Sequence, residues 1–116
     1  ERHAVDIVQP DATKVGGLSE ARHIAWMAYN HNVTMVSHGW NTVFGLYADL
    51  HLASAIPEAK YVEYITPSPY IDDLSETSPA LDGEGYLPIP TSPGLGVSLA
   101  REKVERYSAG RVYTFD

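Results

Sequence analysis

Three short runs of strand-forming residues, each ending on or containing one polar side chain, recur at nearly equal intervals and dictate what this chain can fold into. The first, Ala4 to Gln9, alternates Val and Ile with polar positions and stops at Pro10, which has no N–H to donate to a ladder. Asp11 follows, on the parity of Val5, Ile7 and Gln9. The second, Val33 to Ser37, runs straight into His38, and Gly39 allows a tight exit. The third, Tyr61 to Ile65, holds Glu63 on the face of Tyr61 and Ile65. From Asp11 to His38 is 27 residues and from His38 to Glu63 is 25, the length of one strand, one helix and two loops.

The intervals themselves read as helices. Gly16-Gly17 offers a turn in which at least one residue takes positive φ. Ser19 is a candidate N-cap with Glu20 in the first turn, and Leu18, Ala21, Ala25 and Ala28 follow helical spacing beside Ile24 up to about Asn30. Thr42 is placed to cap a second helix through Ala55, with Val43, Leu46, Tyr47, Leu50 and Ala53 as its apolar stripe and Pro57 as its stop. Strand, helix, strand, helix, strand with short links predicts parallel strands joined by crossovers. Three parallel strands leave two bare edges, and two helices do not cover both faces of a sheet. The expected fold class is therefore α/β, and the chain reads as a slice of a larger structure. It also lacks an initiator Met and opens just before a strand, so we expect a piece of something longer.

Beyond Thr66-Pro67-Ser68-Pro69 the pattern changes. Residues 1–66 read as the βα units and residues 67–116 as a C-terminal extension. In that extension Asp72 to Ser78 suggests a short helical turn, Asp82-Gly83 a turn, Pro93-Gly94-Leu95-Gly96 a corner, Arg101 to Tyr107 a helix and Val112 to Phe115 a last strand.

Charge and composition exclude several functions. A net charge of −7 disfavours nucleic acid and anionic membrane surfaces as partners. No run of 18 apolar residues is present, and there is no cysteine, which excludes disulfides and thiolate metal sites. Gly16-Gly17 belongs to no phosphate-binding pattern. The acidic run around Asp72-Asp73 lacks calcium-loop spacing and reads as a solvated surface. His23, His31 and His51 read as helix-surface residues, and His51 has no second ligand at zinc spacing on its helix. What remains is one polar residue per βα unit near strand ends, the way α/β enzymes assemble an active site, and barrels in particular place theirs at the C-terminal ends of strands. Asp11 and His38 meet that expectation. Glu63, inside its run, meets it less well.

Four ordered motifs then carry a resemblance. Gln9-Pro10-Asp11-Ala12-Thr13-Lys14-Val15-Gly16-Gly17-Leu18, the Ser37-His38 strand end, Tyr61-Val62-Glu63-Tyr64 and Pro93-Gly94-Leu95-Gly96-Val97 resemble, in order and spacing, the C-terminal barrel portion of the enolase superfamily, mandelate racemase/muconate lactonizing enzyme family, mandelate racemase subgroup. The match runs from about Ala4 to Tyr107. It implies about three βα units from the end of a modified (β/α)8 TIM barrel, with a tail returning towards a capping domain. Family chemistry removes the proton α to a carboxylate, with a Lys or His base and Mg2+ stabilising the enediolate. Carried over residue by residue, the resemblance makes His38 the general base, Asp11 its dyad partner and Glu63 the hydrogen-bond donor to the substrate carboxylate, a role that needs its acid form. Lys14 resembles a family position near the substrate or the dyad aspartate, the other reading being a surface loop lysine; Trp40 and Asn41 follow the base and are candidates for shaping the substrate pocket, the other reading of Trp40 being a core tryptophan. The family's Mg2+ ligands and its lysine motif lie on earlier strands and none is in this chain, so the chain alone is expected to be inactive.

The expected function is part of a Mg2+-dependent lyase, a sugar-acid dehydratase, cytoplasmic, acting on a small carboxylate and associating with itself or with the rest of the enzyme. Dehydration is favoured by family frequency rather than by any residue. The alternatives are a racemase, epimerase or cycloisomerase of the same superfamily, or a non-catalytic truncated fragment whose open strand edges invite self-pairing.

Overall fold

The computed structural model describes residues 4–110. Their element order is β1 (Ile7–Val8), α1 (Leu18–Asn30), β2 (Thr34–Met35), α2 (Val43–Ala55), α3 (Pro69–Asp72) and α4 (Arg101–Tyr107). β1 and β2 pair in parallel, Ile7 opposite Thr34 and Val8 opposite Met35. The hydrogen-bonded path is longer than the paired core. The amides of Thr34, Val36 and His38 donate in turn to the carbonyls of Asp6, Val8 and Pro10 at 3.0–3.1 Å. This register brings the two strand ends level, so that Asp11 and His38 emerge side by side.

The third run contributes less sheet than its composition suggests. Only Val62 pairs, in parallel with Ser37. Just beyond that bridge the Gly39 amide donates to the side chain of Glu63, so this N–H is spent on a side-chain oxygen and not on a ladder bond.

α1 runs close to its expected span but starts differently. Leu18 is its first residue, 41% exposed, and Ser19 lies inside the helix. Gly17, at φ 92°, takes the capping position without a side-chain bond. The Gly17 carbonyl accepts the first helical bond, from the Ala21 amide at 3.1 Å, and no side chain caps the first-turn amides as the serine was expected to do. Ala21, Ala25 and Ala28 are buried, as their spacing requires. Asn32 closes the helix in the left-handed region, φ 56°, a conformation Asn tolerates.

α2 begins after Thr42 as expected, though the threonine hydroxyl makes no capping bond. Val43, Leu46 and Leu50 are buried, whereas Tyr47 and Ala53 are half-buried and Leu52 and Asp49 join the buried set. One core gathers Ala12, Ala21, Ala25, Met35 and Leu52, with Val8, Val15 and Ile56 against it. What α1 gives to this core is alanine, Ala21 and Ala25, which lets the helix sit close to the strands.

The tail and its contacts with α2 depart from expectation at several points and agree at α4. α3 precedes the polar run Asp72 to Ser78 rather than lying within it, and Ser75 pairs antiparallel with Leu99. Asp72 is half-buried and accepts from the Ser68 amide at 2.7 Å and the Tyr64 hydroxyl at 3.3 Å, so the acidic run is not simply a solvated face. α4 spans the expected residues. His51 is half-buried, its Nε2 3.2 Å from the Leu95 carbonyl, and ties the tail to α2 instead of facing solvent. The expected strand at Val112–Phe115 lies outside the described residues. No helix among the described residues is long and apolar enough to cross a membrane.

Candidate active site

The register of β1 and β2 sets Asp11 against His38. Asp11 Oδ2 lies 3.0 Å from His38 Nδ1. The Asp11 side chain is 5% exposed and that of His38 is 38% exposed. Lys14 Nζ also bonds Asp11 Oδ2, and the Thr13 amide donates to Oδ1 at 2.8 Å with the Thr13 hydroxyl beside it. The turn that begins at Asp11, with the Lys14 and Val15 amides on its carbonyl at 2.9 Å, wraps these donors round the carboxylate. Burial opposes ionisation of Asp11, but bonds from Lys14, Thr13 and His38 outweigh it and hold the carboxyl well below its usual range. Asp11 is thus a fixed anion. An anion at Nδ1 selects the tautomer with the proton on Nδ1 and leaves Nε2 with its lone pair, on a ring that solvent reaches.

Glu63 enters from the third run. Its Oε2 accepts the Gly39 amide at 2.6 Å. A Cβ on Gly39 would stand 2.1 Å from the Glu63 carbonyl oxygen, so the residue after the histidine has to be glycine for the third run to come this close. The backbone of residues 38 and 39 therefore links all three polar residues.

The three other candidate positions differ. Lys14 bridges Asp11 and the Trp40 carbonyl, the latter at 3.3 Å. Trp40 is 73% exposed and is not a core residue. Asn41 turns its amide inward, where both polar atoms are buried without a partner.

Sequence reasoning passed over Asp49 and Thr13. Asp49 is fully buried on α2, within the influence of Asp11, His38, Asn41 and Ser37. Its signal was a carboxylate three residues after Leu46 and next to Leu50 on an apolar stripe, an arrangement rare without a reason. Thr13 offered no comparable signal.

Among the described residues no three His, Asp or Glu side chains gather as metal ligands, and Asp11, the carboxylate nearest the histidine, is already engaged by Lys14, Thr13 and His38. The donor set of these residues does not fit a Mg2+ site by itself.

A strand-end imidazole thus lies against a buried aspartate, with a glutamate on the adjoining run, and three side chains of acid–base type meet at neighbouring strand ends. The chain belongs to the enolase C-terminal domain-like family, whose model matches residues 1–104. It is 33% identical over 117 residues to the D-xylonate dehydratase of Haloferax volcanii, covering 100% of this chain and 28% of that protein. Among solved structures it is similar to the 3,6-anhydro-D-galactonate cycloisomerase of Zobellia galactanivorans, at TM-score 0.77 and 36% identity, covering 89% of this chain and 29% of that one. It is also similar to a mandelate racemase/muconate lactonizing enzyme from Sulfitobacter sp., at TM-score 0.75 and 31% identity, covering 84% and 24%. The fold matches the C-terminal part of these barrel enzymes, and the chain spans less than a third of their length. Enzymes of this superfamily generally use Mg2+.

Proposed function

We propose that this chain is the base-bearing portion of a barrel enzyme that removes the proton α to a carboxylate, and that the enzyme is a sugar-acid dehydratase. The observation that carries the reading is the 3.0 Å contact between Asp11 Oδ2 and His38 Nδ1, with the aspartate buried and ionised. His38 Nε2 accepts the α-proton, and Asp11 favours the resulting imidazolium while keeping the ring in place. In a dehydration the same imidazolium then gives its proton to the departing β-hydroxyl, so one group serves as base and acid. Glu63, oriented through the Gly39 amide at Oε2, donates from its other oxygen to the substrate carboxylate. Lys14 helps hold Asp11 as an anion, and Trp40, exposed beside the dyad, forms a wall for the substrate. A Mg2+ ion held by residues other than these would supply positive charge for the enediolate oxygens. The chain on its own has negligible turnover, and its partners are the sugar acid and either the rest of the barrel or further copies of itself.

The reading is tested by His38→Asn in the longer protein that carries this chain, with D-xylonate as the probe substrate in deuterated water. The variant is expected to lose exchange of the substrate α-proton. Retained exchange removes His38 as the base. Cycloisomerisation, the chemistry named for the Zobellia neighbour, begins at the same kind of acidic proton, and product analysis separates a cyclic product from a keto acid.

A further inference from the structure

Gly45 and Asp49 lie four apart on one face of α2, and Asn41 precedes Thr42, the cap of that helix. Gly45 makes room for the Asn41 amide. A Cβ there would meet Asn41 Cγ at 2.3 Å, Oδ1 at 2.4 Å and Nδ2 at 2.6 Å, so the Asn41 amide lies directly over the glycine. Asn41 and Ser37 are the polar side chains beside the Asp49 carboxyl. Among the described residues four buried side-chain atoms lack a hydrogen-bond partner, and they are the two oxygens of Asp49 and the oxygen and nitrogen of the Asn41 amide.

Four such atoms match one pairing. A carboxylic acid and a primary amide form a ring of two hydrogen bonds, the acid O–H donating to the amide oxygen and the amide N–H donating to the acid carbonyl. All four atoms are then satisfied, and the arrangement requires a proton on Asp49. An ionised Asp49 leaves the amide oxygen without a donor and keeps a bare charge where the side chain is fully buried. The charged groups that face Asp49 are Asp11, after β1, and His38, after β2. The neighbouring helices turn apolar residues inward, Ala21 and Ala25 from α1 and Ile71 from α3.

We infer that Asp49 is a positioning residue for His38: as a neutral acid it pairs with Asn41 and fixes the Ser37–Asn41 segment from behind, and its ionisation loosens that segment. The inference rests on the proposed role of His38, since the segment so fixed carries the Asp11–His38 contact at one residue and the Gly39–Glu63 contact at the next. Burial, countered in part by Asn41 and Ser37, pushes the Asp49 carboxyl up to about 6. The two carboxyls near His38 are thus driven apart, Asp11 to a fixed anion and Asp49 to an acid that keeps its proton until pH approaches neutrality.

The test is nuclear magnetic resonance on the 116-residue chain, following the His38 Nδ1 proton and the Asp49 carboxyl carbon from pH 4 to 8. In the native chain the Nδ1 proton signal is expected at low pH and is expected to be lost as the Asp49 carbon titrates near pH 6. Asp49→Asn, whose amide also pairs with Asn41 but carries no titratable proton, is expected to keep the signal across the whole range. Gly45→Ala, which pushes Asn41 aside and leaves both carboxyls intact, is expected to lose it at every pH and to move the Asp49 titration. An Asp49 carbon that titrates as an ordinary carboxylate, or a Nδ1 proton indifferent to all three states, overturns the inference while leaving the dyad intact. Absence of the Nδ1 proton in the native chain at every pH, as expected for Asp11→Asn, overturns the dyad and this inference together.

Discussion

The Gly39 amide donates to Glu63 Oε2 at 2.6 Å, and the Gly39 α-carbon lies so close to the Glu63 backbone that a Cβ would come within 2.1 Å of its carbonyl oxygen. The obstacle is main chain, which cannot rotate away. Gly39→Ala therefore has to part the third run from β2, and we expect it to destabilise the chain by ~1–3 kcal/mol, the usual cost of forced overpacking. Urea unfolding of the two chains measures this. A midpoint unchanged by the alanine would mean that the third run does not pack against Gly39 in solution.

Asp11 has a proposed chemical role and a stability role, and one substitution reads both. Asp11→Asn leaves the shape but removes the anion that selects the His38 tautomer. In the longer enzyme the α-proton exchange rate is expected to fall on the order of 10²–10⁴-fold, as when a triad aspartate is made an amide. The sign of the stability effect follows from the direction of the shift. The folded chain holds Asp11 below the ordinary aspartate value of 3.8, so the unfolded chain takes up the proton first as the solution is acidified. Stability from this group is fully present above pH 4 and is lost as pH falls. Asp11→Asn is expected to be less stable at neutral pH and to lose that part of the acid limb, which unfolding midpoints between pH 2 and 5 will show.

Asp49 has the opposite sign. Its folded value is raised from 3.8 to about 6, so the folded chain binds the proton more tightly than the unfolded one. Its stabilising contribution is present below the unfolded value and disappears as pH rises through about 6, a span worth ~3 kcal/mol. With Asp11 limiting the acid side and Asp49 the neutral side, these two groups place maximal stability near pH 4. Asp49→Asn is expected to remove the decline between pH 4 and 7 and to be the more stable chain at pH 7. A flat native profile over that interval would contradict the burial of a titrating Asp49.

How much of this was legible in the sequence depends on where the information lies. The order of strands and helices follows from local periodicity, and so does the α4 span, because Arg101 to Tyr107 needs no distant partner to be helical. Asp11 and His38 were legible as a pair because each sits just past a strand and parallel register brings strand ends together. Sheet extent was not legible: Tyr61 to Ile65 has strand composition, but the pairing of its single bridge depends on where Gly39 sends its N–H. Nor was the fate of Trp40, since an indole after a strand end is buried or exposed according to what packs over it. Asp72 and His51 were misjudged for one reason. Their bonds run to Ser68, Tyr64 and Leu95 across turns that residue type alone does not determine.

The last prediction concerns the cation. Among the described residues no three His, Asp or Glu side chains converge, and the Asp11 carboxylate already has Lys14, Thr13 and His38 on its oxygens. A metal bound at that carboxylate would have to displace the lysine, exchanging one positive charge for another while breaking a well-formed turn. A cation with no folded-state site adds nothing to stability, because linkage depends on differential binding to the folded form. We therefore expect about 10 mM Mg2+ to shift the thermal midpoint of the 116-residue chain by less than about 1 °C relative to EDTA. We expect the chain to show no Mg2+-dependent turnover of D-xylonate. A rise of several degrees, or turnover that EDTA abolishes, would mean that these residues build a cation site by themselves and that the base and its metal need not come from separate stretches of a longer barrel.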